Sequence, residues 1–277
     1  VHWRISPETG TAKRSRPRES DREIEMCARC HARRSPISRG YVHGERLMDH
    51  YLPRLLDAGM YHADGQIDDE VYVYGSFVQS KMYQNGVLCG DCHDPHSLAL
   101  HKEGNELCTQ CHQATTYDDY SHHFHQKEVD GEPSDGALCI KCHMPEQPYM
   151  VIDWRADHSF RVPRPDLTRS IGTPNACGQA GCHADKSLDW QIEEYEKWYG
   201  RARKPHFGAT LAAGRARAPE ARDDLIRLAR DTLYPALVRA TALSALVGYP
   251  GEATTRALER ALVDDEALVR HTAVDTL

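Results

Sequence analysis

The sequence predicts a mainly α-helical fold with long loops, in which a region poor in apolar side chains is followed by the start of a stack of repeated helices. Three observations lead there. All ten cysteines of the 277 residues fall in five motifs that each end in histidine. Leu, Ile, Val and Phe are thin before residue 205, where His, Cys, Gly and Pro are plentiful. A chain so composed cannot bury a sufficient core from its own side chains. Finally, residues 235–246 reappear as residues 266–277, with seven of twelve positions identical at an offset of 31. That is the period of a helical repeat, and solenoids are built by stacking such units.

Residues 1–22 carry the basic, proline-containing run Thr11-Ala-Lys-Arg-Ser-Arg-Pro-Arg-Glu-Ser20. They are expected to be an exposed connector. Residues 23–200 hold the motifs, and residues 201–277 the helical repeats. The motifs are Cys27-Ala-Arg-Cys30-His31, Cys89-Gly-Asp-Cys92-His93, Cys108-Thr-Gln-Cys111-His112, Cys139-Ile-Lys-Cys142-His143 and the longer Cys177-Gly-Gln-Ala-Gly-Cys182-His183. CxxCH is the attachment signature of c-type haem: both thiols bond the vinyl groups, and the histidine becomes the proximal ligand of the iron. Five covalently bound haem c groups are therefore expected, with His31, His93, His112, His143 and His183 as proximal ligands. Their macrocycles would supply the missing apolar volume, so residues 20–185 should not fold without them. Zinc is the competitor for paired CxxC, but it needs two pairs per ion and no histidine after every pair. For the fifth motif, a disulfide between Cys177 and Cys182 is the alternative.

The proximal histidines are 62, 19, 31 and 40 residues apart, too irregular for a tandem repeat. In the long first gap, residues 71–78 have strand-like composition, but their length together with residues 79–83 favours a helix. Residues 186–200 read as an amphipathic helix, with Leu188, Ile192, Tyr195 and Tyr199 on one face and Gly200 as its stop.

Of the seventeen histidines, twelve remain for the sixth positions of five irons. That surplus favours bis-histidine ligation, which suits electron transfer. The distal candidates are His62, His96, His122, His123 and His158; the loop Ser121-His-His-Phe-His125 offers one or two ligands. His2, His43, His50, His101 and His206 are weaker candidates. Met48, Met60 and Met82 read as packing, and Met144, next to His143, cannot reach across its own haem. Arg161 and Arg164 are candidates for pairing with propionates, or ordinary surface charges.

Residues 72–80 (YVYGSFVQS), Cys89-Gly-Asp-Cys-His-Asp-Pro-His-Ser97, Cys139-Ile-Lys-Cys-His-Met-Pro145, Asp157-His-Ser-Phe-Arg161 and Gly172-Thr-Pro-Asn-Ala-Cys177 carry a resemblance. From about residue 22 to 200, the chain resembles large bacterial multihaem cytochromes with doubled CxxCH motifs and C-terminal TPR- or HEAT-type repeats. The repeat pattern Leu-Val-Arg-x-x-Ala is itself HEAT-like. The resemblance implies further haem sites upstream, and it departs at the longer Cys177–Cys182 spacing, where the family has CxxCH. CHMP and DHSF also look like elements of the pentahaem nitrite reductase and octahaem hydroxylamine oxidoreductase class, which implies a distal role for His158. The CxxCK motif that often marks the catalytic haem of those reductases does not occur in this sequence.

A formal charge of -7 argues against nucleic acid as a partner, and no run of eighteen apolar residues exists. Covalent haem attachment implies export, hence a periplasmic or extracellular location. The chain is expected to be a piece of a longer protein, missing haem-bearing sequence upstream and repeats downstream. The expected function is electron transport between redox proteins or haem subunits. Two rivals stay open: oxidoreduction of a small nitrogen or sulfur oxyanion at one five-coordinate haem, and membership of a polymeric, conductive assembly.

Overall fold

The computed structural model describes residues 2–277. It is mainly helical, with four small antiparallel hairpins and a packed set of C-terminal helices. The first hairpin, β1 (Trp3–Ile5) and β2 (Ala12–Arg14), precedes α1 (Arg22–His31). Helix α1 has Glu23 and Glu25 in its first turn and Arg29 and His31 in its last, each complementing the helix dipole. It buries Ile24 and Ala28, and its end carries the first motif. Hairpin β3 (Arg34–Pro36) and β4 (Tyr51–Pro53) follows.

The segment that read as strand or helix contains α2 (Tyr74–Phe77), and α3 (Lys81–Gln84) follows, capped by Ser80. The motif-bearing stretch is then built from single turns: α4 (Glu106–Thr109), α5 (Ala114–Tyr117), α6 (Tyr120–His123) and α7 (Cys139–His143). Hairpin β5 (Glu128–Val129) and β6 (Glu132–Pro133) interrupts them, and β7 (Glu146–Tyr149) and β8 (Asp153–Ala156) follow. Helix α8 (Pro165–Ile171) opens on proline, where no backbone donor is lost. Helix α9 (Leu188–Tyr199) starts at a Ser187 cap and ends before Gly200, as its periodicity predicts.

Five helices complete the chain: α10 (Phe207–Arg215), α11 (Ala221–Arg230), α12 (Ala236–Ala245), α13 (Glu252–Ala261) and α14 (Ala267–Thr276). Helix α12 packs on α11 and α14, and α13 on α11 and α14. The repeated arginines do the same work in both copies. Arg239 donates to the carbonyl of Ala229 at the end of α11 and pairs with Asp264; Arg270 donates to the carbonyls of Asp264 and Asp265 beyond α13. Each guanidinium thus satisfies carbonyls left over at or just beyond a helix end.

The main core is shared. Leu211, Leu225, Leu237, Val238, Leu243, Leu246 and Val269 of the C-terminal helices enclose Leu56, Tyr61, Ile67 and Val71 from the long gap between the first two motifs. Arg215 donates to the carbonyls of Leu56 and Tyr61, and the Leu56 amide donates to Thr241 Oγ1. By contrast, no hydrophobic side chain is buried between Phe77 and Ala137, a stretch that contains two complete motifs. Residues 3–14, expected as part of an exposed connector, form the first hairpin and lie against the third motif. Backbone bonds join Ala12 to Cys111 and Gln113 to Gly10.

Candidate haem sites

In each motif the chain closes on itself. The first and fourth form helical turns at the end of α1 and in α7. In the second and third, the histidine amide donates to the carbonyl of the first cysteine at 2.9 Å, His93 to Cys89 and His112 to Cys108. This turn brings both thiols and the imidazole to one side. The fifth motif makes the same closure, His183 amide to Cys177 carbonyl at 3.0 Å, across its two extra residues. They are taken up as a bulge, with Gly181 at φ +82, a conformation glycine adopts without penalty.

The motifs adjoin in chain order. Cys27 adjoins Cys89, and Cys108 adjoins Cys139. Gln110 of the third motif donates to the carbonyl of Asp91 in the second. Helix α7 packs on the turn at Ala176–Gly178 that starts the fifth motif. The neighbouring Cys89 lowers the pKa of the Cys27 thiol, while burial lifts Cys92 and Cys142 to about 11.

Three of the motif histidines lie beside a second imidazole. Ring centres are 6.3 Å apart for His93 and His158, 6.2 Å for His143 and His122, and 6.0 Å for His183 and His125. A first-row metal lies about 2 Å from an imidazole nitrogen, so two rings across one iron have centres roughly 6.3 Å apart. The pairs therefore have the spacing of axial ligands. Orientation agrees. Nδ1 of His143 donates to the carbonyl of Arg161 at 2.6 Å, and Nδ1 of His158 to that of Ala156 at 2.9 Å; Nδ1 of His125 bonds the carbonyl of His123. A carbonyl only accepts, so these nitrogens carry the ring proton and Nε2 keeps a free lone pair. Such second contacts are how proteins orient metal-binding histidines. Burial also lowers the pKa of His143 and His158, favouring the neutral ring that a metal requires.

Helix α9 forms a wall of this region. Trp190 lies 4.9 Å from the His183 ring and Trp198 5.6 Å from His125, while the Tyr199 hydroxyl donates to the His122 carbonyl. Phe124, stacked on Trp198 at 5.2 Å, is held at φ +56. Its left-handed turn ends α6 and places His122 beside His143 and His125 beside His183, a conformation that costs a non-glycine residue about 1–3 kcal/mol.

The remaining distal candidates are placed otherwise. His123 accepts the His125 amide through Nδ1, so its Nε2 holds the proton rather than a lone pair. His62 Nε2 is 3.5 Å from the Asp68 carboxylate, and His96 is exposed. His31 is exposed at the end of α1, and His112 meets Tyr117 edge-on. Arg161 donates to the Asp64 carbonyl and to Gln79, and Arg164 pairs with Asp166. His125 is not among the individually named distal candidates, although it closes the Ser121-His-His-Phe-His125 loop that offers one or two of them. The tryptophans of α9 were also missed, because periodicity marks the core face and Trp190 and Trp198 lie beside it.

The fit to haem is fourfold: closed thiol–histidine turns, paired imidazoles at ligand spacing, Nδ1 anchors, and a motif stretch without a core of its own. The doubled CXXCH motif family matches residues 81–116, which span the second and third motifs. No curated protein and no solved structure matches the chain. The matched motifs and the ten cysteines imply covalent haem c, consistent with a multihaem cytochrome in electron transfer.

Proposed function

We propose that the protein carries electrons through a series of five covalently held, closely spaced haems, most of them bis-histidine, outside the cytoplasm. Haem c supplies a one-electron iron couple, and a second imidazole saturates that iron and denies it to substrates. The chain's own part is to fix positions. Short segments tie the motifs to each other, and carbonyls aim the imidazoles. The observation that carries the reading is the three imidazole pairs at 6.0–6.3 Å, on motifs that adjoin in sequence order.

In this reading residues 23–200 are the haem-bearing part and residues 1–22 lead into it. Residues 201–277 are the first units of a HEAT-like solenoid, whose outer faces serve other redox proteins or haem subunits. The equivalent roles of Arg239 and Arg270 support the repeat. No helix among the described residues is long and apolar enough to cross a membrane. Carbon monoxide tests the wire reading. The reduced holoprotein should leave the haems at His93, His143 and His183 unligated by CO, and CO-bound spectra at those sites would overturn it.

A further inference from the structure

Tyr117 stands outside the axial pairs but touches two of their neighbours. Its ring lies edge-on to His112, with centres 5.4 Å apart and planes at 81°, and edge-on to His122 at the same 5.4 Å and 81°. Its hydroxyl donates to the Thr9 carbonyl at 2.6 Å and lies 3.1 Å from Thr11 Oγ1. Both partners belong to the turn between β1 and β2, which is bonded to the third motif through Ala12 and Gly10. Gly10, at φ +65, allows the approach: a Cβ there would sit 3.2 Å from the Tyr117 ring and 3.2 Å from Thr116 Oγ1. The phenol is thus clamped at its hydroxyl and wedged between two imidazoles at its edges.

We infer that Tyr117 is a positioning residue that sets the ring planes of His112 and His122, and so couples the third and fourth haem sites. This rests on the axial reading above, in which His112 is the proximal ligand at the third site and His122 the distal ligand at the fourth. The plane of an axial imidazole fixes the orientation of the iron orbital that holds the unpaired electron. Rotating it alters the low-spin electron paramagnetic resonance (EPR) signal and the midpoint potential of that haem, without altering the number of haems. An edge-on aromatic contact resists such rotation more than a flexible aliphatic one does.

The test compares Tyr117→Leu and Tyr117→Phe in the holoprotein by EPR and redox titration, with haems counted by intact mass. Tyr117→Leu is expected to displace the EPR signals and midpoints of two haems, those at His112 and His143, at unchanged haem count. Tyr117→Phe keeps the ring and should restore both. Unchanged signals in Tyr117→Leu, or equal displacement of every haem in both variants, would overturn the inference. Should Tyr117→Leu not accumulate, Gly10→Ala presses a methyl on the same ring; displacement of the same two signals supports the inference and its absence overturns it. The axial reading is checked separately: His122→Ala must create one high-spin haem, and if it does not, that assignment falls whatever Tyr117 does.

Discussion

At the residue scale, the informative side chains are histidines, and the second ring nitrogen tells His125 from His123. His158, His143 and His125 each spend Nδ1 on a backbone carbonyl, whereas His123 uses Nδ1 as an acceptor. His158→Ala should therefore open one haem: one high-spin ferric signal, and CO binding by a single haem after reduction. His96→Ala, at an exposed position, should do neither. His206 is a different kind of histidine. Its Nδ1 accepts the Gly208 amide at the start of α10, and burial followed by the nearby Arg161 charge lowers its pKa to about 4. The unfolded chain takes up a proton below roughly 6.5 that the folded chain refuses. Stability should then be complete above that pH and fall by up to ~3 kcal/mol as the pH drops towards 4. Denaturant titrations at pH 7 and pH 4.5 would show it, and His206→Gln should flatten the dependence. The sequence made the five motif histidines legible as candidates, because attachment chemistry dictates their spacing to the cysteines. It did not distinguish His123 from His125, because that choice turns on the left-handed Phe124 between them.

At the element scale, two junctions hold the helices. Arg239 is 5% exposed and bonds Ala229 and Asp264, so Arg239→Ala strands buried acceptors and should cost about 3 kcal/mol. Arg256→Ala, at an exposed pair with Glu252, should cost no more than ~0.5 kcal/mol. Thermal unfolding of the two variants makes the comparison. Gly208 begins α10 against the loop at Asp64, where a Cβ would lie 2.8 Å from the Asp64 backbone. Gly208→Ala should lose about 1–3 kcal/mol by overpacking. Helices α9 and α12 were readable from periodicity and repeat. The single-turn helices between residues 106 and 143 were not, because attachment turns and histidine positions organise that stretch rather than an apolar period.

At the scale of the whole molecule, the shared core decides what should survive without haem. Segment 55–71 is enclosed by the C-terminal helices, while the stretch from residue 78 to 136 buries no hydrophobic side chain. Chain made without haem attachment should keep a protease-resistant, helical C-terminal part and be cleaved rapidly between residues 78 and 136. Resistance across that stretch would mean that the motifs fold without their groups. Composition marked the motif stretch as poor in apolar side chains, but not that the long first gap would cross to the helices, since Leu56, Tyr61, Ile67 and Val71 carry no periodic signature. The bis-histidine arrangement meets its most direct test in the EPR spectrum of the oxidised His125→Ala holoprotein, read beside His123→Ala. The expected result is a new high-spin haem in His125→Ala alone, at unchanged haem count; a high-spin haem in His123→Ala with His125→Ala unchanged would contradict it.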